Sequence, residues 1–345
     1  ELRAFAAATG IPVADTQAGK GAINCDHPCS VGGVGSTGGD SGNHLADKAD
    51  LIIGVGTRYS DFTTASKTQF KNPDVSFVNI NIAPFDAAKQ SAEMVVADAR
   101  EALVALTEEL ADYRVDESYT AEIAAEREAW AAKVEQCYHV GNAPLPAQTE
   151  VFGALNELMG DEDVVINAAG SMPGDLQALW QAKTPVQYHV EYAFSCMGYE
   201  VPAAMGVKLA RPQSEVVSIV GDGTYQMLPM ELATVAQEGI KVIYVLLQNY
   251  GHDRWRGHRG ERTLVGHRRA RGSHDRGVQG GLQGGRRLGS CDHDPHRDRP
   301  DGPQPARILL VGRGDLGGVR ARVDPACVRG LPERSQAAAP LPVMR

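Results

Sequence analysis

SEVVSIVGDGTYQMLPMELATVAQEGIKVIYVLLQNYG, residues 214–251, decides how the rest of the chain is read. Two short apolar runs rich in Val and Ile, VVSIV and VIYVLL, bracket a stretch with helical spacing. Strand, turn, helix and strand in that order form the unit of a parallel sheet. Asp222 stands between Gly221 and Gly223 where the first strand ends, and Asn249 stands where the next strand ends. In a parallel sheet both ends open on one edge, which is where ligands bind. An anionic and a neutral oxygen suit Mg²⁺ or Ca²⁺, with diphosphate oxygens, water and a backbone carbonyl completing the shell. Gly221 and Gly223 let the backbone approach a phosphate without a Cβ clash. The helix that follows offers free N–H groups to the same anion. A GDG triplet alone is also a common surface turn. The added strand, helix and terminal Asn make the pattern far more specific.

Upstream, DVVINAAGSMPGDL (163–176) reads as a strand, a turn at Ala169-Gly170-Ser171 and a helix. VEYAFSCMGYEVPAAMGVKLA (190–210) reads as a loop running into a helix of small residues. NAPLP (142–146) marks a boundary, and the charged, Ala-rich stretch before it is a helix. In the first 110 residues, ELRAFAAATG is a helix closed by Gly10. IPVADT, the run at 50–57, VSFVNINI (75–82) and MVVADA (94–99) are strands, and the helix REALVALTEELADY follows. GGVGSTGG (32–39) contains a formal G-x-G-x-x-G from Gly33 to Gly38. A dinucleotide loop needs a strand directly before it, and CDHPCS does not look like one, so a flexible Gly-rich loop is the expectation.

The fold class is therefore α/β: two doubly wound parallel-sheet domains plus an irregular Arg/Gly-rich segment. The expected divisions are 1–110, a domain lacking its first strand; 111–146, a helical linker; 147–250, a truncated ligand-binding domain; and 251–345. The last division follows from charge. Residues 1–250 hold 15 basic and 33 acidic residues, whereas 251–345 hold 19 Arg, no Lys and 10 acids. A nucleic-acid-binding tail would mix Lys with Arg and interleave aromatics. This one does neither and has no apolar period, which points to a GC-rich gene read out of frame and a disordered product. Binding of nucleic acid is not expected. No apolar stretch is long enough to span a membrane and no secretory signal is visible, so a cytoplasmic location is expected. Cys25 and Cys29 flank His27, but no second pair at zinc spacing accompanies them, so they read as ordinary thiols.

Residues 219–251 resemble, end to end, the signature of thiamine-diphosphate enzymes, with Gln248 where the family usually has a first Asn. That resemblance implies thiamine diphosphate and Mg²⁺ as cofactors, with Asp222, Asn249 and the carbonyl of Gly251 on the metal. It implies that Gly170 and Ser171 contact the diphosphate together with Gly221, Gly223 and Thr224. Met197, beside Gly198, would be the bulky residue beneath the cofactor; plain core packing is its competing reading. IPVADTQAGKGAI, the run at 50–57 and VNINIAPFD resemble the central domain of the acetolactate-synthase-like group. Two segments, NAAGSMPGDLQALW and EYAFSCMGYEVPAAMG, are closer to members that hydrolyse a C–C bond in a cyclic, polyol-derived 1,2-diketone. A carboligase or decarboxylase is one alternative, and a non-catalytic product with a basic nucleic-acid-binding tail is the other. The family implies a homo-oligomer, with sites between subunits. It also implies a catalytic glutamate from an N-terminal domain that does not precede Glu1, so no catalytic residue is assigned and the chain alone is expected to be inactive.

Overall fold

The computed structural model describes residues 1–248 and, as backbone, 307–311. Helix α1 (Leu2–Thr9) ends on Gly10, whose φ of 76° is the left-handed cap expected. Strands β1 (Val13–Asp15) and β2 (Ser30–Gly33) pair in parallel, and α2 (Asp40–Lys48) follows. Strands β3 (Leu51–Val55), β4 (Ser76–Ile80) and β5 (Glu93–Val95) form a second parallel sheet. A short α3 (Pro84–Ala87) lies between β4 and β5. Helix α4 (Ala99–Glu109) starts where the Asp98 carboxylate accepts from the N–H groups of Arg100 and Glu101. Helix α5 (Glu117–Tyr138) starts in the same way at Asp116.

The expected linker is more than a spacer. Ile123 of α5 packs with Val31 and Leu45 in the first domain, whereas Val134 and Tyr138 enter the core of the second. Helix α5 therefore belongs to both cores.

The second domain runs α6 (Gln148–Leu158), β6 (Val164–Asn167), α7 (Met172–Leu179), β7 (Tyr188–Val190), α8 (Glu200–Ala210) and β8 (Val216–Gly221). It continues through α9 (Asp222–Met227), α10 (Glu231–Gln237) and β9 (Ile243–Gln248). Its sheet order is β10 (Arg307–Val311), β9, β8, β6, β7. Alternation along the strands builds both faces. Val165, Val217, Ile219, Val245 and Leu247 face a core shared with α6 and α7. Val164, Ile166, Val216 and Tyr244 face the opposite core, against α8.

Three expectations need correction. A strand does directly precede the Gly-rich loop, namely β2, and a helix follows it at Asp40. The loop is still no open cradle, because its glycines are packed. A Cβ on Gly33 would lie 3.2 Å from the Gln177 side chain, and one on Gly39 would lie 2.6 Å from the Trp130 ring. Next, the helix after GDG is broken into α9 and α10. Leu228 precedes Pro229, and the pyrrolidine ring disfavours the helical conformation in the residue before it; Leu228 takes φ −147°. Finally, Arg307–Val311, inside the segment expected to be irregular, forms β10, the antiparallel edge strand beside β9.

Candidate functional site at the C-terminal edge of the second sheet

The chain leaves β6 for β7 on one side and returns to β8 on the other. The crevice between β6 and β8 is thus a topological switch point, open at the strands' C-terminal ends. Three backbone segments converge there. The first is the turn from β6 to α7. Gly170 has φ 89°, and a Cβ built on it would meet nothing within 4 Å. Gly170 and Ser171 line a cavity of about 240 Å³, whose far wall is Gln17, Thr37 and Phe62 of the first domain.

The second segment is the end of β8. Gly221 is extended and Asp222 opens α9, with the Gly223 N–H donating to Asp222 Oδ1 at 2.9 Å. Thr224 is buried. A Cβ on Gly221 would lie 3.3 Å from Met172 Cε, so the start of α7 abuts the GDG turn. Gly221 pairs with Leu247 in the ladder, which puts Asp222 in register with Gln248. Asn249 and Gly251, the other expected metal ligands, lie outside the described residues.

The third segment is Cys196–Gly198. Gly198 has φ 93°, and a Cβ there would lie 2.8 Å from Leu228 Cβ, so both conformation and space require glycine. Met197 is 42% exposed, which removes the core-packing reading of that side chain. Cys25 and Cys29 are free thiols, and no metal-binding group of His, Cys, Asp or Glu occurs among the described residues.

One residue at this edge is not expected from the sequence. Glu200, fully buried at the start of α8, accepts from the Gly198 N–H at 3.2 Å and also from the backbone of Ala169. It ties the first segment to the third. Desolvation raises its pKa to about 7. The available signal is an acidic residue directly before VPAAMG, because a small-residue helix leaves a long side chain nowhere to go but inward or across a neighbouring loop.

Comparison with known proteins agrees with this geometry. Residues 1–106 match the thiamine pyrophosphate enzyme central domain, and residues 168–278 match the C-terminal TPP binding domain. The chain belongs to the thiamine pyrophosphate enzyme family. The second match continues past the composition break near residue 250. Curated members of the family are similar over most of the chain. A 3D-(3,5/4)-trihydroxycyclohexane-1,2-dione hydrolase 2 of Bacillus cereus is 46% identical over 275 residues, 73% of this chain and 43% of that protein. Hydrolases of the same name from Bacillus anthracis (strain CDC 684 / NRRL 3495) and Bacillus thuringiensis (strain Al Hakam) are 45% and 46% identical, over the same shares. The chain thus spans less than half the length of these relatives.

The residues present fit the cofactor. The open space beside Gly170 and the Cβ-free approach at Gly221 are what a diphosphate needs, and Asp222 is an oxygen donor at the same edge.

Proposed function

We propose that this chain is the diphosphate- and metal-anchoring part of a hydrolase that opens the ring of 3D-(3,5/4)-trihydroxycyclohexane-1,2-dione to 5-deoxy-glucuronate. The convergence of Gly170, Gly198 and Asp222 on one sheet edge supports the cofactor half of that reading. The names of the similar proteins, together with the NAAGSMPGDLQALW and SCMGYE segments, support the substrate half.

Asp222, Asn249 and the Gly251 carbonyl would hold Mg²⁺, which would anchor the diphosphate. Gly170, Ser171, Gly221, Gly223 and Thr224 would contact the diphosphate. Met197 and Gly198 support the rings, and the partly exposed Met197 is free to do so. Bound thiamine diphosphate supplies a nucleophilic carbon and an electron sink for C–C cleavage. The chain's own part is to bind, orient and exclude water. The enzyme works as a cytoplasmic homo-oligomer.

The test is an enzyme extended to the length of its relatives and supplied with thiamine diphosphate and Mg²⁺. Loss of the cyclic dione, with appearance of the open-chain acid, is the expected result. Conversion of pyruvate to acetolactate without dione cleavage would overturn the substrate assignment and leave a carboligase.

A further inference from the structure

The backbone segments that build the cofactor edge meet at one side chain. Glu200, the first residue of α8, has no exposed surface. Its Oε2 accepts from the Gly198 N–H at 3.2 Å, and the Ala169 backbone faces the same carboxyl. Its main-chain carbonyl accepts from the Ser218 hydroxyl at 3.1 Å. Ser218 lies in β8, the strand that ends on Gly221. One residue thus holds the turn after β6, the Met197–Gly198 segment and the strand that leads into GDG.

Two plainer roles do not account for it. The first is helix capping. Asp98 and Asp116 cap α4 and α5 from the position before each helix, and their bonds lie at the surface. Glu200 stands inside α8, is sealed from solvent and reaches across to the turn after β6. The second is charge pairing. Among the described residues no cation pairs with Glu200, and its Oε1 is buried with no partner at bonding distance. Burial lifts the carboxyl to about 7, so the position disfavours the charge. What the position uses is the length of the side chain and its acceptor oxygen. Glu200 does not line the cofactor-side cavity, whereas Ala169, Gly170 and Ser171 do. Any effect on the cofactor therefore passes through the backbones that Glu200 holds.

We propose that Glu200 is a positioning residue for the cofactor: it draws the Ala169 and Gly198 backbones onto one carboxyl and so fixes the Gly170–Ser171 turn against the Met197–Gly198 segment in the arrangement that binds thiamine diphosphate. The inference rests on the reading of this edge as the cofactor site, and not on the identity of the substrate.

Calorimetry with thiamine diphosphate and Mg²⁺ on the full-length enzyme separates reach from charge. At about pH 6 the wild-type carboxyl is mostly protonated. Glu200→Gln keeps the length and an acceptor oxygen and removes the ionisable group. Glu200→Asp keeps the ionisable group and is one methylene shorter. Glu200→Gln should bind within about threefold of wild type and Glu200→Asp about 10–100-fold more weakly, the range typical of losing a group behind a metal ligand. Deuterium exchange without cofactor should follow the same order. Peptides holding Ala169 and Gly198 should exchange as in wild type for Glu200→Gln and faster for Glu200→Asp. Equal binding by all three proteins, or equal weakening of both variants, would overturn the positioning role. A Glu200→Gln chain that fails to fold would do so too. Should Glu200→Asp fail to fold, Glu200→Gln decides alone: it must match wild type in both binding and exchange. A wild-type enzyme that binds no thiamine diphosphate would instead remove the cofactor reading of this edge, and the inference with it.

Discussion

At the scale of single residues, Glu200 gives the sharpest consequence. Burial, the largest cause, lifts its carboxyl from an ordinary 4.5 to about 7, against the backbone N–H groups that favour the anion. Below pH 4.5 the folded and unfolded chains both hold the proton. Between 4.5 and about 7 only the folded chain holds it, so this contribution to stability falls as pH rises and is gone above about 7. The change is on the order of 3 kcal/mol. Urea unfolding at about pH 5 and about pH 8 should show Glu200→Gln losing less stability over that interval than wild type; equal losses would sink the assignment. Asp222 bears on the proposed cofactor site instead. Removing a group behind a metal ligand typically weakens metal affinity about 10–100-fold, so Asp222→Ala in the full-length enzyme should weaken Mg²⁺-dependent thiamine diphosphate binding by at least about 100-fold. Calorimetry measures this, and unchanged binding would remove Asp222 from the metal.

Between elements, two helix glycines separate intrinsic preference from packing. Exchanging Gly for Ala inside a helix is worth about 1 kcal/mol. In α8, a Cβ on Gly206 meets nothing within 4 Å, so Gly206→Ala should stabilise by about 0.5–1 kcal/mol. In α2, a Cβ on Gly42 would lie 2.5 Å from the Gly33 carbonyl oxygen, and neither backbone can yield cheaply. Overpacking of about 1–3 kcal/mol then outweighs propensity, and Gly42→Ala should destabilise. Thermal melts of the pair should move in opposite directions; a shared direction would mean the α2–β2 contact is looser than its geometry. That same contact explains what the sequence conceals. β8 and β9 are legible because long apolar runs fix a buried strand regardless of context. β2, in contrast, is SVGG, with two glycines and one strong strand former, and it exists because β1 and the close-packed α2 hold it. β7, the three residues YHV, is held in the same way beside β6. The α9–α10 break is written in Pro229, but the helical spacing on either side of it masks the interruption. Within the site, glycines and Asp222 are readable because their roles are local. Glu200 is not, because one of its partners, Ala169, lies in a loop about 30 residues away in sequence.

For the whole molecule, the question is whether the two domains behave as one body. Two features join them. Helix α5 places Ile123 in one core and Val134 in the other, so a break in either must unwind or detach a single cooperative helix. Gln177, almost fully buried in α7, accepts from the Thr37 hydroxyl and donates to the Val34 carbonyl at 3.2 Å, both in the Gly-rich loop of the first domain. Losing that docking would leave buried polar groups unsatisfied at about 1–3 kcal/mol each. Domain separation is therefore costly well before either core melts. Independent domains would behave differently, since a core mutation in one would leave the other's transition in place. Truncating a buried Ile or Phe costs about 2–5 kcal/mol. Ile123→Ala in the first core and Phe152→Ala in the second should each lower the same single calorimetric transition, with no second peak left at the wild-type temperature. A residual wild-type peak in either variant would show that the seam transmits little and that the two domains unfold separately.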